Sequence, residues 1–212
     1  MKLKVCGLTN KENINEILRD IQPDYMGFIF YEPSSRFVEN KLDPGYVKSL
    51  PDGIHKTGVF VDASVDYIFD RALQYGLSTL QLHGNENPDF CRHFMDQGYE
   101  VIKVFHIYQS FDISMMNAYR DVCDFFLFDR AGKYKGGNGV KFNWDILHQY
   151  TLQKPYFLSG GVTPEDGPHV TAIQDQRLYA VDINSRFETD RGIKHAAYVK
   201  QFYNTIKNQD NG

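Results

Sequence analysis

Eight times along this chain a short β-rich run is followed by a polar turn and then by a stretch with helical spacing, and this order constrains the fold more than any single residue. The β-rich runs cover residues 2–6, 25–30, 56–61, 79–83, 100–106, 125–129, 156–159 and 179–183. The helical stretches cover 11–20, 44–50, 65–75, 88–97, 114–122, 144–149, 165–173 and 194–207. Asn10 stands where an N-cap belongs before the first, and Thr163-Pro164-Glu165 puts proline at the first helical position of the seventh. Eight units in 212 residues leave about 26 residues each, near the floor of about 200 residues for a (β/α)₈ barrel. The competing architecture is an open doubly wound sheet. Its G-x-G-x-x-G signature after the first strand is missing, since Cys6-Gly7-Leu8-Thr9-Asn10 stands there. The expected fold is therefore α/β, a single (β/α)₈ TIM barrel spanning residues 1–207 as one domain, with 208–212 as a frayed tail.

Composition removes several function classes. No apolar run approaches the roughly 18 to 20 residues of a membrane-spanning helix, and the start, Met1-Lys2-Leu3-Lys4-Val5-Cys6-Gly7, lacks the apolar centre of a signal peptide. A soluble cytoplasmic protein without a membrane partner is expected. Cys6, Cys91 and Cys123 are far apart and form neither a C-x-x-C pair nor a metal spacing with histidine, which argues against a disulfide scaffold or structural zinc. A net charge of −4 is the wrong sign for a nucleic-acid surface. An anionic ligand must then be held by local groups. Both a monomer and a homodimer fit these features.

In such a barrel the chemistry sits at the carboxyl ends of the strands. The first run ends in Cys6 and the sixth in Asp129, after Phe125-Phe126-Leu127-Phe128. Cys6 can be read as a small buried hydrophobe and Asp129 as a cap for its loop. Together they can also be read as a base and an acid flanking a small substrate. Ser159-Gly160-Gly161-Val162-Thr163-Pro164-Glu165 opens a glycine loop into a helix start, and Asn184-Ser185-Arg186 follows the neighbouring eighth run. Loops after strands 7 and 8 are where barrels commonly bind phosphate, although paired glycines also serve as plain tight turns. Arg36, among small and aromatic residues after the second run, offers a planar fork for a carboxylate or is a solvated surface residue. Leu80-Gln81-Leu82-His83-Gly84 closes the fourth run with a histidine, structural or functional. Residues 132–141 fail the G-x-x-x-x-G-K-[ST] phosphate-loop pattern and read instead as a mobile lid.

Taken in order, Lys4-Val5-Cys6-Gly7-Leu8-Thr9, Gly27-Phe28-Ile29-Phe30 with Ser34-Ser35-Arg36-Phe37-Val38, Leu80-Gln81-Leu82-His83-Gly84, Phe128-Asp129, Ser159-Gly160-Gly161-Val162-Thr163-Pro164-Glu165 and Val181-Asp182-Ile183-Asn184-Ser185 resemble the phosphoribosylanthranilate isomerase family of tryptophan synthesis. Departures are Ser35 where the family more often has proline, Arg130 where it has threonine, Asn138 between two glycines, and Arg186 where a small residue is usual. The resemblance implies an Amadori rearrangement of N-(5-phosphoribosyl)anthranilate. It makes Cys6 the base and Asp129 the acid, gives Arg36 the anthranilate carboxylate, and gives Gly160, Gly161, Asn184 and Ser185 the phosphate. Gln81, His83 and Asp182 complete the implied substrate-binding set. No cofactor or metal is expected, because the substrate's own nitrogen acts as the electron sink, and the small phosphorylated substrate is the only partner implied. The sister isomerase of histidine synthesis, which carries a carboxylate where Cys6 stands, and a non-catalytic barrel that binds a phosphorylated ligand are the competing readings. As the base, Cys6 is expected to have a lowered pKa.

Strand parity adds a constraint of its own. If Cys6 points into the mouth, Lys4 points into the barrel beneath it, and Leu3 and Val5 face the helices. An ammonium there needs a carboxylate from a neighbouring strand, and Asp182 is the candidate. The alternative is a local twist that turns Lys4 out to solvent.

Overall fold

A computed structural model of the protein describes residues 1–108, 110–130 and 144–207. Eight parallel strands close in chain order into a barrel: β1 (Lys2–Val5), β2 (Tyr25–Ile29), β3 (His55–Phe60), β4 (Thr79–Leu82), β5 (Glu100–Ile107), β6 (Phe125–Arg130), β7 (Tyr156–Leu158) and β8 (Leu178–Ile183). The helices between them are α1 (Lys11–Asp20), α2 (Pro44–Lys48), α3 (Val65–Tyr75), α4 (Pro88–Asp96), α5 (Ile113–Asn117), α6 (Gly167–Thr171) and, after β8, α7 (Ala196–Lys207). Capping is local and legible: Asn10, Ser64 and Asn87 each accept a hydrogen bond from the backbone N–H three residues on, and Gly76 ends α3 in the left-handed region with a φ of 64°.

Alternation along each strand sorts the core into two. Leu3, Val5, Met26, Phe28, Leu80, Leu82, Val101, Phe126 and Phe128 face outward and pack with the buried faces of the helices, among them Ile14, Ile17, Ile68 and Phe94. Tyr25, Ile102, Val104, Leu127, Phe157 and Ala180 form a separate cluster inside the barrel. That inner cluster plugs the barrel below the carboxyl-end mouth, so the mouth is a pocket with a floor and not a channel.

Several boundaries differ from those read in the sequence, each for a physical reason. The stretch expected at 114–122 is a true α-helix only over Ile113–Asn117; beyond it the bonds Tyr119 N–H to Met116 and Arg120 N–H to Asn117 span three residues, so the turns tighten to 3-10 geometry. The stretch at 144–149 is a 3-10 helix throughout, Trp144–Gln149. The seventh divides into a 3-10 turn, Pro164–Asp166, and the short α6, because Pro168 has no N–H to donate back along the helix. The eighth begins at Ala196, not Lys194. Before it, β9 (Glu188–Asp190) and β10 (Ile193–Lys194) form an antiparallel hairpin that the sequence reading did not anticipate. The expected lid at 132–141 and the tail at 208–212 lie outside the described residues.

The parity expectation for β1 holds. Lys4 pairs in register with Asp182 across the β1–β8 seam, and its Nζ donates to Asp182 Oδ1 at 2.9 Å. With side-chain exposures of 0% and 5%, the pair is sealed inside the barrel, which excludes the solvent-facing alternative. Lys4→Met should strand the buried carboxylate and cost about 3–5 kcal/mol. Lys4→Met combined with Asp182→Asn should recover part of that loss. Urea unfolding measures both, and equal losses in the single and double variants would show that the two groups are not coupled.

Candidate active site

Because inward-facing positions alternate, the residues one step above the Lys4–Asp182 layer converge on the mouth. They are Cys6 after β1, His83 after β4, His106 on β5, Asp129 on β6 and Asn184 after β8. Gln81 lies one step lower on β4, level with Asp182, and Gly160 and Gly161 follow β7.

Cys6 is buried, and its position depends on two glycines. A Cβ on Gly27 would stand 2.7 Å from the Cys6 sulfur, so only glycine at that place in β2 leaves room for the thiol. Gly7 has a φ of 73°, and a Cβ there would meet Asn184 Oδ1 at 2.6 Å and Arg36 Cδ at 2.7 Å. The chain next to the thiol is thereby pressed against both loops that approach it. Contrary to the expectation from sequence, the Cys6 pKa is raised. Burial pushes the thiol up, and the Asp182 carboxylate adds to this, while the ammonium groups of Lys4 and Lys194 pull it partly back.

Asp129 occupies the opposite electrostatic situation. Burial works against its charge, but His83 Nε2 faces Oδ2 at 3.4 Å and the Arg130 N–H donates to Oδ1 at 2.8 Å. With His106 nearby, these hold the carboxyl below the usual carboxylate range. The amide nitrogen of Gln81 lies 3.1 Å from His83 Nδ1. The loop that carries His83 is itself tied down by a buried pair: Lys103 donates to Glu86, and to the carbonyls of Leu82 and Gly84, while Glu86 accepts from the Gly84 and Asp62 N–H groups. His83, His106 and Asp129 each bring one ligand atom to within 4.8 Å of the others, so this is the place among the described residues where a divalent transition metal could sit.

Arg36 is not a solvated surface residue. Its side chain is 17% exposed, and its Nε and Nη2 donate to the two carboxylate oxygens of Glu188 at 2.7 and 2.5 Å. Glu188 and its second partner Lys194 belong to the unanticipated hairpin and were missed in the sequence. The only signal available was the Asp190-Arg191-Gly192 turn between two short β-prone pairs.

Gly160 and Gly161 both have positive φ, 88° and 83°, and Ser185 opens a 3-10 turn directly after Asn184. The helix start that was expected to help hold an anion is already occupied: the Thr163 N–H donates to Asp166 Oδ2 at 2.9 Å, and α6 is only five residues long. An anion at this loop would rest on the Gly160-Gly161 backbone instead.

Residues 3–205 match the family model of N-(5'-phosphoribosyl)anthranilate (PRA) isomerase. The chain belongs to the PRA isomerase family. It is 41% identical over 207 residues to the N-(5'-phosphoribosyl)anthranilate isomerase of Phocaeicola vulgatus, covering 98% of each protein, and 37% identical to that of Parabacteroides distasonis, covering 97% of this chain and 93% of the relative. Among solved structures it resembles the phosphoribosyl anthranilate isomerase of Thermotoga maritima, with a TM-score of 0.80, 29% identity and coverage of 98% and 99%. It also resembles a phosphoribosyl anthranilate isomerase in complex with reduced 1-(o-carboxyphenylamino)-1-deoxyribulose 5-phosphate, with a TM-score of 0.76, 28% identity and the same coverage.

In this PRA isomerase relative the room around the thiol is testable. Gly27→Ala should displace the Cys6 sulfur and cost about 1–3 kcal/mol through overpacking. A crystal structure of the variant and a thermal melt measure the two effects; an unmoved sulfur with unchanged stability would contradict the close approach.

Proposed function

We propose that this chain catalyses the Amadori rearrangement of N-(5-phosphoribosyl)anthranilate to 1-(2-carboxyphenylamino)-1-deoxyribulose 5-phosphate, with Cys6 and Asp129 as its proton-transfer pair. The observation that carries the reading is the juxtaposition of a thiol and a carboxyl group on one barrel mouth, three strands apart around the ring, beside a fixed guanidinium. Asp129 donates a proton to the furanose ring oxygen as the bond from C1 to that oxygen opens, leaving an iminium ion. The Cys6 thiolate takes the C2 proton, which gives an enolamine that tautomerises to the ketone. Arg36 receives the anthranilate carboxylate, and the Gly160, Gly161, Asn184 and Ser185 loops receive the phosphate. His83 lies on the wall between these ends, and Gln81 and the Lys4-paired Asp182 support it from the layer beneath. A thiol where the histidine-pathway sister carries a carboxylate favours this reading over that one. Retention of both reacting groups favours it over a barrel that only binds.

Loss of the substrate's fluorescence on turnover is the direct assay. Cys6→Ala and Asp129→Asn should each lower kcat by roughly 10²–10⁴-fold, the usual worth of a general acid or base. KM should change much less; near-normal turnover in either variant would remove that residue from the chemistry.

The pKa directions make a sharper prediction. In the free protein the thiol is raised and the carboxyl lowered, so the resting pair is Cys6 thiol with Asp129 carboxylate. The reactive pair, thiolate with carboxylic acid, contains the same number of protons. Its share is therefore constant wherever the resting pair dominates. Below the Asp129 pKa the thiolate is lost, and above the Cys6 pKa the acid is lost. The pH profile of kcat/KM should be flat across neutrality, allowing for the substrate phosphate's second ionisation near about 6. Its limbs should lie below the ordinary carboxylate range and above the ordinary thiol range. A narrow bell centred near neutrality would contradict the pairing.

A further inference from the structure

The loop that carries Arg36 does not by itself aim the guanidinium. Glu188, 152 residues further along the chain, grips the Nε–Nη2 edge of the guanidinium with both carboxylate oxygens. Glu188 Oε1 also accepts from Lys194 Nζ at 2.7 Å and from the Gly192 N–H at 3.2 Å. Lys194 is buried, and its Nζ also donates to Asn184 Oδ1 at 2.8 Å. Its backbone is held from both sides by Asn13 of α1: the Lys194 N–H donates to Asn13 Oδ1 at 2.7 Å, and Asn13 Nδ2 donates to the Lys194 carbonyl at 2.8 Å. The β9–β10 hairpin is thus anchored on a helix and reaches both ends of the mouth.

We propose that Glu188 is the positioning residue that makes this site select a carboxylate on the aryl end of its ligand, and that Lys194 keeps the pair electrostatically open to an anion while fixing Asn184 at the phosphate end. The inference rests on the reading of Arg36 as the carboxylate ligand. A guanidinium presents a rigid fork, so fixing one edge fixes where the Nη1 end points. An Arg36–Glu188 pair alone is neutral and would offer little attraction to a second carboxylate. With Lys194 bound to the same Glu188, two basic groups face one carboxylate; burial draws the Lys194 pKa down and its contact with Glu188 opposes that loss, so the ammonium form that leaves the cluster net positive depends on Glu188. The hairpin therefore couples recognition of the two charged ends of the ligand.

The test compares two ligands: reduced 1-(o-carboxyphenylamino)-1-deoxyribulose 5-phosphate and its phenylamino counterpart without the ring carboxylate. Their ratio of dissociation constants reads carboxylate selectivity alone. Glu188→Gln should lower that ratio roughly tenfold, the worth of one misaligned charge-assisted contact. Binding of the carboxylate-free ligand should stay within about twofold, and the loss in turnover should fall on KM more than on kcat. In an Arg36→Ala background the same substitution should reduce selectivity no further. Equal weakening of both ligands would make Glu188 a general support of the fold, and unchanged selectivity would make it irrelevant to recognition; either overturns the proposal. Arg36→Ala with full selectivity would overturn the carboxylate reading itself, and this inference with it. Should the Gln variant not fold, Glu188→Asp keeps the charge that Arg36 and Lys194 need but draws the fork back, and it should show the same selective loss.

Discussion

The buried ion pair at the seam between β1 and β8 is the interaction around which the mouth is organised. Two charges sealed inside a barrel are expensive to desolvate, and their attraction offsets that cost only when each has its partner in good geometry. Register supplies the geometry, because Lys4 and Asp182 are direct neighbours in the strand pairing that closes the barrel. Closure of the barrel and satisfaction of the pair are thus the same event. The ammonium has a second role: it faces the Cys6 thiol one step above, where it opposes the effect of burial on the group proposed as the base. A methionine at position 4 would pack as well but would leave the thiol without that cation.

The same parity explains how much of the molecule could be read from the chain alone. Eight alternations, strand-end chemistry and the inward direction of Lys4 all follow from local patterns with periods of 2 and 3.6 residues, and all eight expected strands are present within a residue or two of the positions read from the pattern. Cys6, His83, Asp129 and Asn184 could be found because a polar group at the end of an apolar run is conspicuous in one dimension, whereas His106, which ends the fifth run and lies beside Asp129, was passed over. The helices on the second half of the ring were less legible. Short segments there are shaped by Pro168 and by tightened turns more than by hydrophobic spacing.

What escaped the sequence is of another kind. Glu188 and Lys194 sit in a charged stretch, Glu188-Thr189-Asp190-Arg191-Gly192-Ile193-Lys194, whose composition is that of any solvated turn. Their significance arises only when Arg36 and Asn13 are brought to them over sequence separations of 152 and 181 residues. Likewise, the direction of the Cys6 pKa was misjudged because a thiol's role was known from the resemblance while its burial was not. The lowered value was expected from what a base must do; the desolvation that outweighs the neighbouring ammonium groups is a property of the packed barrel.

These observations together resolve how a chain of net charge −4 can be built to receive a ligand with a carboxylate at one end and a phosphate at the other. Overall charge acts over distances that salt screens, whereas the mouth is governed by groups a few ångströms apart. Lys4, Arg36 and Lys194 are three cations gathered near Cys6, and Asp182 and Glu188 are the two carboxylates that hold them. Each carboxylate keeps a buried basic group in place: Asp182 holds Lys4, and Glu188 is shared by Arg36 and Lys194, opposing the burial that lowers the Lys194 pKa. Asp129 lies across the ring on β6, beside two imidazoles, and its charge is felt by Asp182 of this cluster. Burial acts first on both proposed reacting groups; ammonium groups oppose it at Cys6 and histidines at Asp129, and Asp182, which interacts with Lys4, Cys6, Asp129 and His83, links the two sides of the mouth, so a substitution there bears on both proton affinities.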